Sequence, residues 1–187
     1  VGLFADGVAV RRVGEETFAL ARRYVDEILL VNTDEICAAI QDVFEDTRAV
    51  LEPAGALAVA GVKRYVARGA PAGQRYVAIS SGANLNFDRL RYIAERADLG
   101  AGREALLAIE IPEQPGSFLR FCDALGQHSV TEFNYRYQGA ERAHLFVGFG
   151  LQEGQENCAA VAARLRSAGY GVVDMSANEM AKLHVRF

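Results

Sequence analysis

The short stretch Ser81-Gly82-Ala83-Asn84 combines a hydroxyl, a glycine and an amide in four residues. A serine hydroxyl in such a loop can donate to or accept from a heteroaromatic nitrogen, and Gly82 lets backbone approach a ligand closely. Glu52-Pro53-Ala54-Gly55-Ala56 sets a carboxylate directly before a proline-started helix, as a helix-terminus anion or a group aimed into a pocket. On spacing alone each has a simpler reading, a tight turn for the first and a cap for the second. Phe133, Tyr135 and Tyr137 share one side of an alternating segment and Asn134 and Arg136 the other. An aromatic stripe of that kind is more often core or a sheet interface than a ligand site.

No nucleophile and base arrangement stands out. His128, His144 and His184 are scattered through the second half, and His144 alternates with the apolar face of its segment, which turns it to solvent or a sheet partner. No serine sits in a G-x-S-x-G setting, and neither a Walker loop nor a strand followed by G-x-G-x-x-G occurs. Cys37, Cys122 and Cys158 are an odd count without a C-x-x-C pair, which suits reduced thiols better than disulfides or a zinc site. Of the 20 basic residues only Lys63 and Lys182 are lysines, so any amine for covalent catalysis would have to be one of these.

The elements that must position these residues follow two grammars. In the first part, helical periodicity at Glu15–Val25, at Ile36, Ile40, Val43 and Phe44, and at Ala54–Arg68 alternates with two continuous apolar runs. Those runs, Ile28–Val31 and Tyr76–Ile79, are predicted as buried strands of a parallel sheet, the second running straight into Ser81. Asn32-Thr33-Asp34 supplies a helix cap, and the helix at Ala54–Arg68 is rich enough in Ala and Gly to lie close against a neighbour. Phe87–Ala97 is an amphipathic helix with Leu90, Ile93 and Ala97 inward, and Asp98–Gly102 is a linker. From about residue 100 onward the apolar residues alternate in strands at Ala105–Ile111, Val130–Tyr137 and Ala143–Leu151, and a further strand is expected at Tyr170–Met175. Helices opened by Pro115-Gly116-Ser117 and by Asn157 separate them, with a turn at Gln138–Glu141. That order is βαββαβ, a ferredoxin-like unit.

Composition narrows the function classes. Of 187 residues, 51% are hydrophobic and 24% charged, which fits a globular chain and not a disordered one. The net charge of −4 and dispersed basic residues argue against nucleic acid as a partner, and no apolar run is long enough to span a membrane. No secretory signal opens the chain, so a cytoplasmic location is expected. The chain begins on Val1 rather than Met, as a piece of a longer protein would.

Several longer motifs resemble one family. Glu52-Pro-Ala-Gly-Ala-Leu, Ser80-Ser-Gly-Ala-Asn-Leu-Asn-Phe and Leu90-Arg-Tyr-Ile-Ala-Glu-Arg look like the late catalytic domain of biosynthetic threonine dehydratases. Ile111-Pro-Glu-Gln-Pro-Gly-Ser-Phe, Ser129-Val-Thr-Glu-Phe-Asn-Tyr-Arg-Tyr and Asp174-Met-Ser-Ala-Asn-Glu-Met-Ala-Lys-Leu-His-Val-Arg look like its first ACT-like regulatory repeat. The resemblance implies an α/β chain: the tail of a fold-type II pyridoxal-phosphate catalytic domain (parallel sheet with helices) over 1–88, a neck helix and linker over 89–103, and a ferredoxin-like ACT-like domain over 104–187. It implies conversion of L-threonine to 2-oxobutanoate and ammonia in isoleucine biosynthesis, by a homo-oligomer, a cytoplasmic tetramer, that isoleucine inhibits and valine relieves. Ser81 matches the residue that would hydrogen-bond the pyridine nitrogen of pyridoxal 5'-phosphate, with Glu52 further out and Gly82 beside it. Tyr135 matches a position tied to effector binding, with Arg136 next to it.

The same resemblance implies an absence. Neither Lys63 nor Lys182 matches the family's Schiff-base lysine, and the glycine-rich phosphate loop has no counterpart, so this chain should bind no cofactor and be inactive alone. A leading sheet edge without its neighbours is expected to aggregate, swap or disorder. The competing reading is a non-enzymatic amino-acid-binding module, against which the Ser81 loop argues. A third is a purely structural assembly element.

Overall fold

A computed structural model of the protein describes residues 4–137, 141–152 and 156–186, with side chains as far as 183. Most of the turn expected at Gln138–Glu141, and the side chain of His184, therefore lie outside the described residues. The chain divides into two compact units, Val1–Ala101 and Gly102–Phe187, and each is described by itself.

The first unit is helical. After a short 3-10 turn at Asp6–Val8 come α1 (Glu15–Tyr24), α2 (Thr33–Thr47), α3 (Pro53–Ala67) and α4 (Arg89–Gly100). Asn32 rather than Asp34 caps α2: its side chain accepts from the Glu35 N–H at 2.9 Å, and the Glu35 carboxylate accepts from the Asn32 N–H at 2.7 Å. Ile36, Ala39 and Ile40 of α2, Ala56 and Ala60 of α3, and Ile93 and Ala97 of α4 form the core. Asp34 is thereby free to turn inward, where it accepts from Arg96 of α4 at 2.5 Å. Arg96 is only 3% exposed, and it also donates to the Tyr92 hydroxyl at 2.7 Å. A guanidinium this deep is stable only with such partners. The amphipathic helix expected at Phe87–Ala97 starts later and runs on to Gly100, through part of the expected linker.

The two predicted strands of this unit are corrected by the structure. Ile28–Val31 and Tyr76–Ile79 belong to no helix and no sheet, and Ile28 and Val77 are 77% and 89% exposed. A strand exists only where a neighbour takes its N–H and C=O groups, and no described residue offers that pairing. Consequently the described residues hold no parallel sheet, and α1 buries none of its apolar side chains.

The second unit is closed on itself. Its elements are β1 (Glu104–Pro112), α5 (Ser117–Leu125), β2 (Val130–Tyr137), β3 (Arg142–Gly150), α6 (Cys158–Ser167), β4 (Gly171–Asp174) and α7 (Glu179–Arg186). The sheet has the order β2-β3-β1-β4, every pair antiparallel, as a ferredoxin-like unit requires. Leu107, Ile109 and Ile111 of β1 alternate inward with Leu145, Val147 and Phe149 of β3 against Phe121 of α5 and Leu165 of α6. The Asn157 side chain caps α6 by accepting from the Ala160 N–H at 2.9 Å. Helix α7 was not anticipated from the sequence pattern; Asn178 caps it through the Ala181 N–H at 3.0 Å.

Candidate functional site

Two separate places hold the residues singled out by sequence, one in each unit. In the first, Glu52 is the N-cap of α3, and Pro53 occupies the first turn, where a missing N–H costs nothing. The Glu52 N–H donates to the Gly82 carbonyl at 3.1 Å, which ties the start of α3 to the loop. A Cβ built on Gly55 would lie 2.5 Å from the Gly82 oxygen, and one on Gly82 would run into the Glu52 carboxylate. Gly55 therefore excludes a side chain, because the Gly82 backbone passes directly over it, while the space above Gly82 is taken by the Glu52 carboxylate. Glu52 and Gly82, predicted separately, are brought together; Gly55 is the residue that sequence reasoning missed, although it was visible in the small-residue run.

Ser81 lies beside this contact in sequence and is exposed. Leu85 anchors the far end of the loop among the core residues of the unit. This arrangement presents a hydroxyl and a carboxylate at one rim, held by a close-packed glycine pair.

Pyridoxal phosphate was tested against these residues. The Ser81 hydroxyl suits the pyridine nitrogen. An amine is lacking beside them: the Lys63 ammonium is paired with Asp42 on α2, and Lys182 is buried in the second unit against Glu179. The residues present thus fit one edge of the cofactor and not its attachment, and no reaction step follows from them.

In the second unit Tyr135 lies on β2 opposite Leu145, on the helix-covered face, where its hydroxyl donates to the Glu113 carboxylate. That bond and the negative charge raise the Tyr135 hydroxyl above its usual 10.0. Phe133, two residues back on the same face, meets Phe118 of α5 edge-on at 5.2 Å. The stripe expected as core is therefore not buried: Phe133, Tyr135 and Tyr137 all remain exposed at the edge of the sheet, Phe133 touching α5 through Phe118. Arg136 pairs with His144 in register and lies on the opposite, open face. The structure does not bring Tyr135 and Arg136 together. On that open face Asn134, Arg136 and His144 border a concavity of about 430 Å³ floored by Ala108, Phe146 and Val173.

Among the described residues no group of three or more His, Cys, Asp or Glu is placed to hold a metal ion, and no helix is long and apolar enough to cross a membrane. Cys158 donates weakly to Asp174 at 3.4 Å, and burial with that neighbouring carboxylate pushes its thiol up to about 11.

Comparison with known proteins divides the chain in the same sequence order as its two units. Residues 2–82 match the model of pyridoxal-phosphate dependent enzymes, and residues 95–185 match the C-terminal regulatory domain of threonine dehydratase. The biosynthetic L-threonine dehydratase of Escherichia coli (strain K12) is 57% identical over 187 residues, all of this chain and 36% of the relative. The mitochondrial threonine dehydratase of Saccharomyces cerevisiae is 45% identical, again over the whole of this chain and 34% of the relative. Among solved structures, the processed form of threonine deaminase isoform 2 from Solanum lycopersicum aligns with 53% of this chain and 27% of its own, at 45% identity and a TM-score of 0.52. This chain spans about 36% of the length of the bacterial relatives. Similarity to biosynthetic threonine dehydratases thus runs through every one of its residues, with the catalytic and regulatory family models met in sequence.

Proposed function

We propose that this chain is the part of a threonine dehydratase in which the end of the catalytic unit, residues 1–88, continues through residues 89–103 into a regulatory unit, residues 104–187. The whole protein converts L-threonine to 2-oxobutanoate and ammonia in the cytoplasm, as a homo-tetramer. The observation that carries this reading is the succession of two family matches, catalytic then regulatory, along one chain.

Within it Ser81 holds the pyridine nitrogen of pyridoxal phosphate, which supplies the electron sink for loss of the threonine hydroxyl. A neutral hydroxyl partner leaves that nitrogen largely unprotonated. Glu52 and Gly82 keep the Ser81 loop in place, because their backbone bond and close approach fix where the hydroxyl sits. Tyr135 belongs to the effector site, at which isoleucine inhibits and valine relieves. Effector coupling of this kind amounts to about 1–3 kcal/mol between sites.

The test uses the full-length enzyme that contains this chain. Tyr135→Ala should leave 2-oxobutanoate formation in place and weaken isoleucine inhibition about tenfold or more; an unchanged isoleucine response overturns the effector assignment. Ser81→Ala should lower turnover and shift the absorption of the bound cofactor. If both stay as in the parent, Ser81 does not meet the cofactor.

A further inference from the structure

The loop between β1 and α5 holds a carboxylate, that of Glu113, which no cation neutralises among the described residues. Glu113 is fixed at its backbone, where its N–H donates to the Glu141 carbonyl at 2.9 Å. The residues after it are equally well held: the Ser117 N–H donates to the Gln114 carbonyl at 3.0 Å, and Ser117 itself is buried. Among the described residues its carboxylate has one partner, the hydroxyl of Tyr135, and no Lys, Arg or His pairs with it. Other surface carboxylates nearby do find cations: Glu110 has Arg142 and Glu156 has Arg164.

A carboxylate accepts two or more hydrogen bonds through each oxygen. One phenol therefore leaves most of its capacity unused, on a side chain whose backbone is held in place. Beside it, along the same face of β2, the edge-on pair Phe118 and Phe133 presents partly exposed aromatic surface. A fixed anion, a hydroxyl that orients it, and an apolar shelf next to both make a receptor for a cation bearing a hydrocarbon branch.

We propose that Glu113 accepts the α-ammonium group of the amino-acid effector, while Phe118 and Phe133 receive its branched side chain. This rests on the reading of Tyr135 as an effector residue and assigns the recognition of charge to a different side chain. Tyr135 then acts as a positioning residue, holding the carboxylate in one rotamer. Selection for an amine over an isosteric hydroxyl comes from Glu113.

Calorimetric titration of the 187-residue chain with L-isoleucine and with 2-hydroxy-3-methylpentanoate, which replaces the ammonium by a hydroxyl, measures that selection directly. The parent chain should prefer isoleucine by about tenfold or more, the scale of one charge-assisted contact. Glu113→Gln should abolish the preference while leaving binding of the hydroxy acid unchanged, and Glu113→Asp should restore part of it. Isoleucine binding whose preference survives Glu113→Gln overturns the assignment of Glu113 and leaves the effector reading standing. No isoleucine binding by the folded parent chain overturns both.

Discussion

Ile28–Val31 and the middle of β3, Leu145–Val147, are both apolar and both suited to a strand by composition. One is unpaired, with Ile28 and Leu30 exposed; the other is hydrogen-bonded on both sides, to β1 and β2, with Leu145 and Val147 in the core. The difference is not in the residues. It lies in whether the same stretch of chain supplies the neighbours. The second unit contains every strand its sheet needs within about 70 residues of β1 to β4, so its apolar runs are satisfied locally. The core of the first unit is built mainly from helices, and most apolar side chains of its two unpaired runs stay in water, Val31 alone of them packing against that core. Strand character is a property of a pair of segments, whereas helix character belongs to one segment.

The largest effect that would sharpen this contrast is expected in the second unit. Phe121 is fully buried and meets Tyr170 edge-on at 6.0 Å. Phe121→Ala should cost about 3–5 kcal/mol, truncation plus the cavity it leaves. Hydrogen exchange resolved by residue should show the loss in β1 to β4 and leave protection in α2 and α4 unchanged. If protection falls equally in α2 and α4, the two units unfold as one and the contrast between them is broken.

Somewhat smaller, and confined to the first unit, is the effect of Asp34→Ala. It leaves Arg96 buried without its carboxylate, a change worth about 3 kcal/mol or more when a buried pair loses one partner. The double variant Asp34→Ala with Arg96→Leu should recover most of that loss, since an apolar pair replaces a stranded charge. Chemical denaturation followed through the helical signal checks both. Equal stability of the single and double variants would mean that water already reaches Arg96.

Much of this was legible in the sequence and some of it was not, for identifiable reasons. The βαββαβ order could be read because its first three strands alternate and the turns carry Gly, Pro or Asn. Helix α3 could be read from Pro53 and the run behind it. Asp34 was mistaken for part of the cap because Asn, Thr and Asp are all capping types. Only the Asp34–Arg96 bond, across 62 residues, reveals which of them faces inward. The contact of Gly55 with Gly82 and the bond from Tyr135 to Glu113 are likewise pairings across sequence, for which no local pattern exists. Alternation did separate Tyr135 from Arg136, and the structure keeps them on opposite faces.

The cysteines offer a contrast of intermediate size. Cys37 in the first unit is shielded by full burial, whereas Cys158 in the second is partly exposed and held back by its raised pKa of about 11. At pH 8 only about one Cys158 in a thousand is thiolate, so alkylation should be slow and should rise about tenfold per pH unit up to pH 10. Asp174→Asn should speed it by removing the nearby charge, and Cys37 should respond to neither change. Because the folded pKa lies above the ordinary 9.0, Cys158 favours the folded second unit below pH 9, and that contribution is lost as pH rises toward 11. A Cys158 that labels as fast as a free thiol at pH 8 would contradict the geometry around Asp174.

The smallest expected effect tests the opening comparison most directly. Val77 of the first unit and Val147 of the second are the same residue in runs of similar composition, 89% and 0% exposed. Threonine matches valine in shape and β-branching but adds a hydroxyl, so the substitution reads burial with little change in backbone preference. Val147→Thr buries that hydroxyl in a packed core and should cost about 1–3 kcal/mol. Val77→Thr should change stability by less than about 0.5 kcal/mol, because the hydroxyl stays in water. A cost at Val77 equal to that at Val147 would mean that the run is covered in solution by a second copy of the chain. Raising the concentration would then increase the cost further, as mass action requires. A cost near zero at every concentration would establish that the apolar face of Tyr76–Ile79 is tolerated in water and waits for pairing that the first unit does not itself provide.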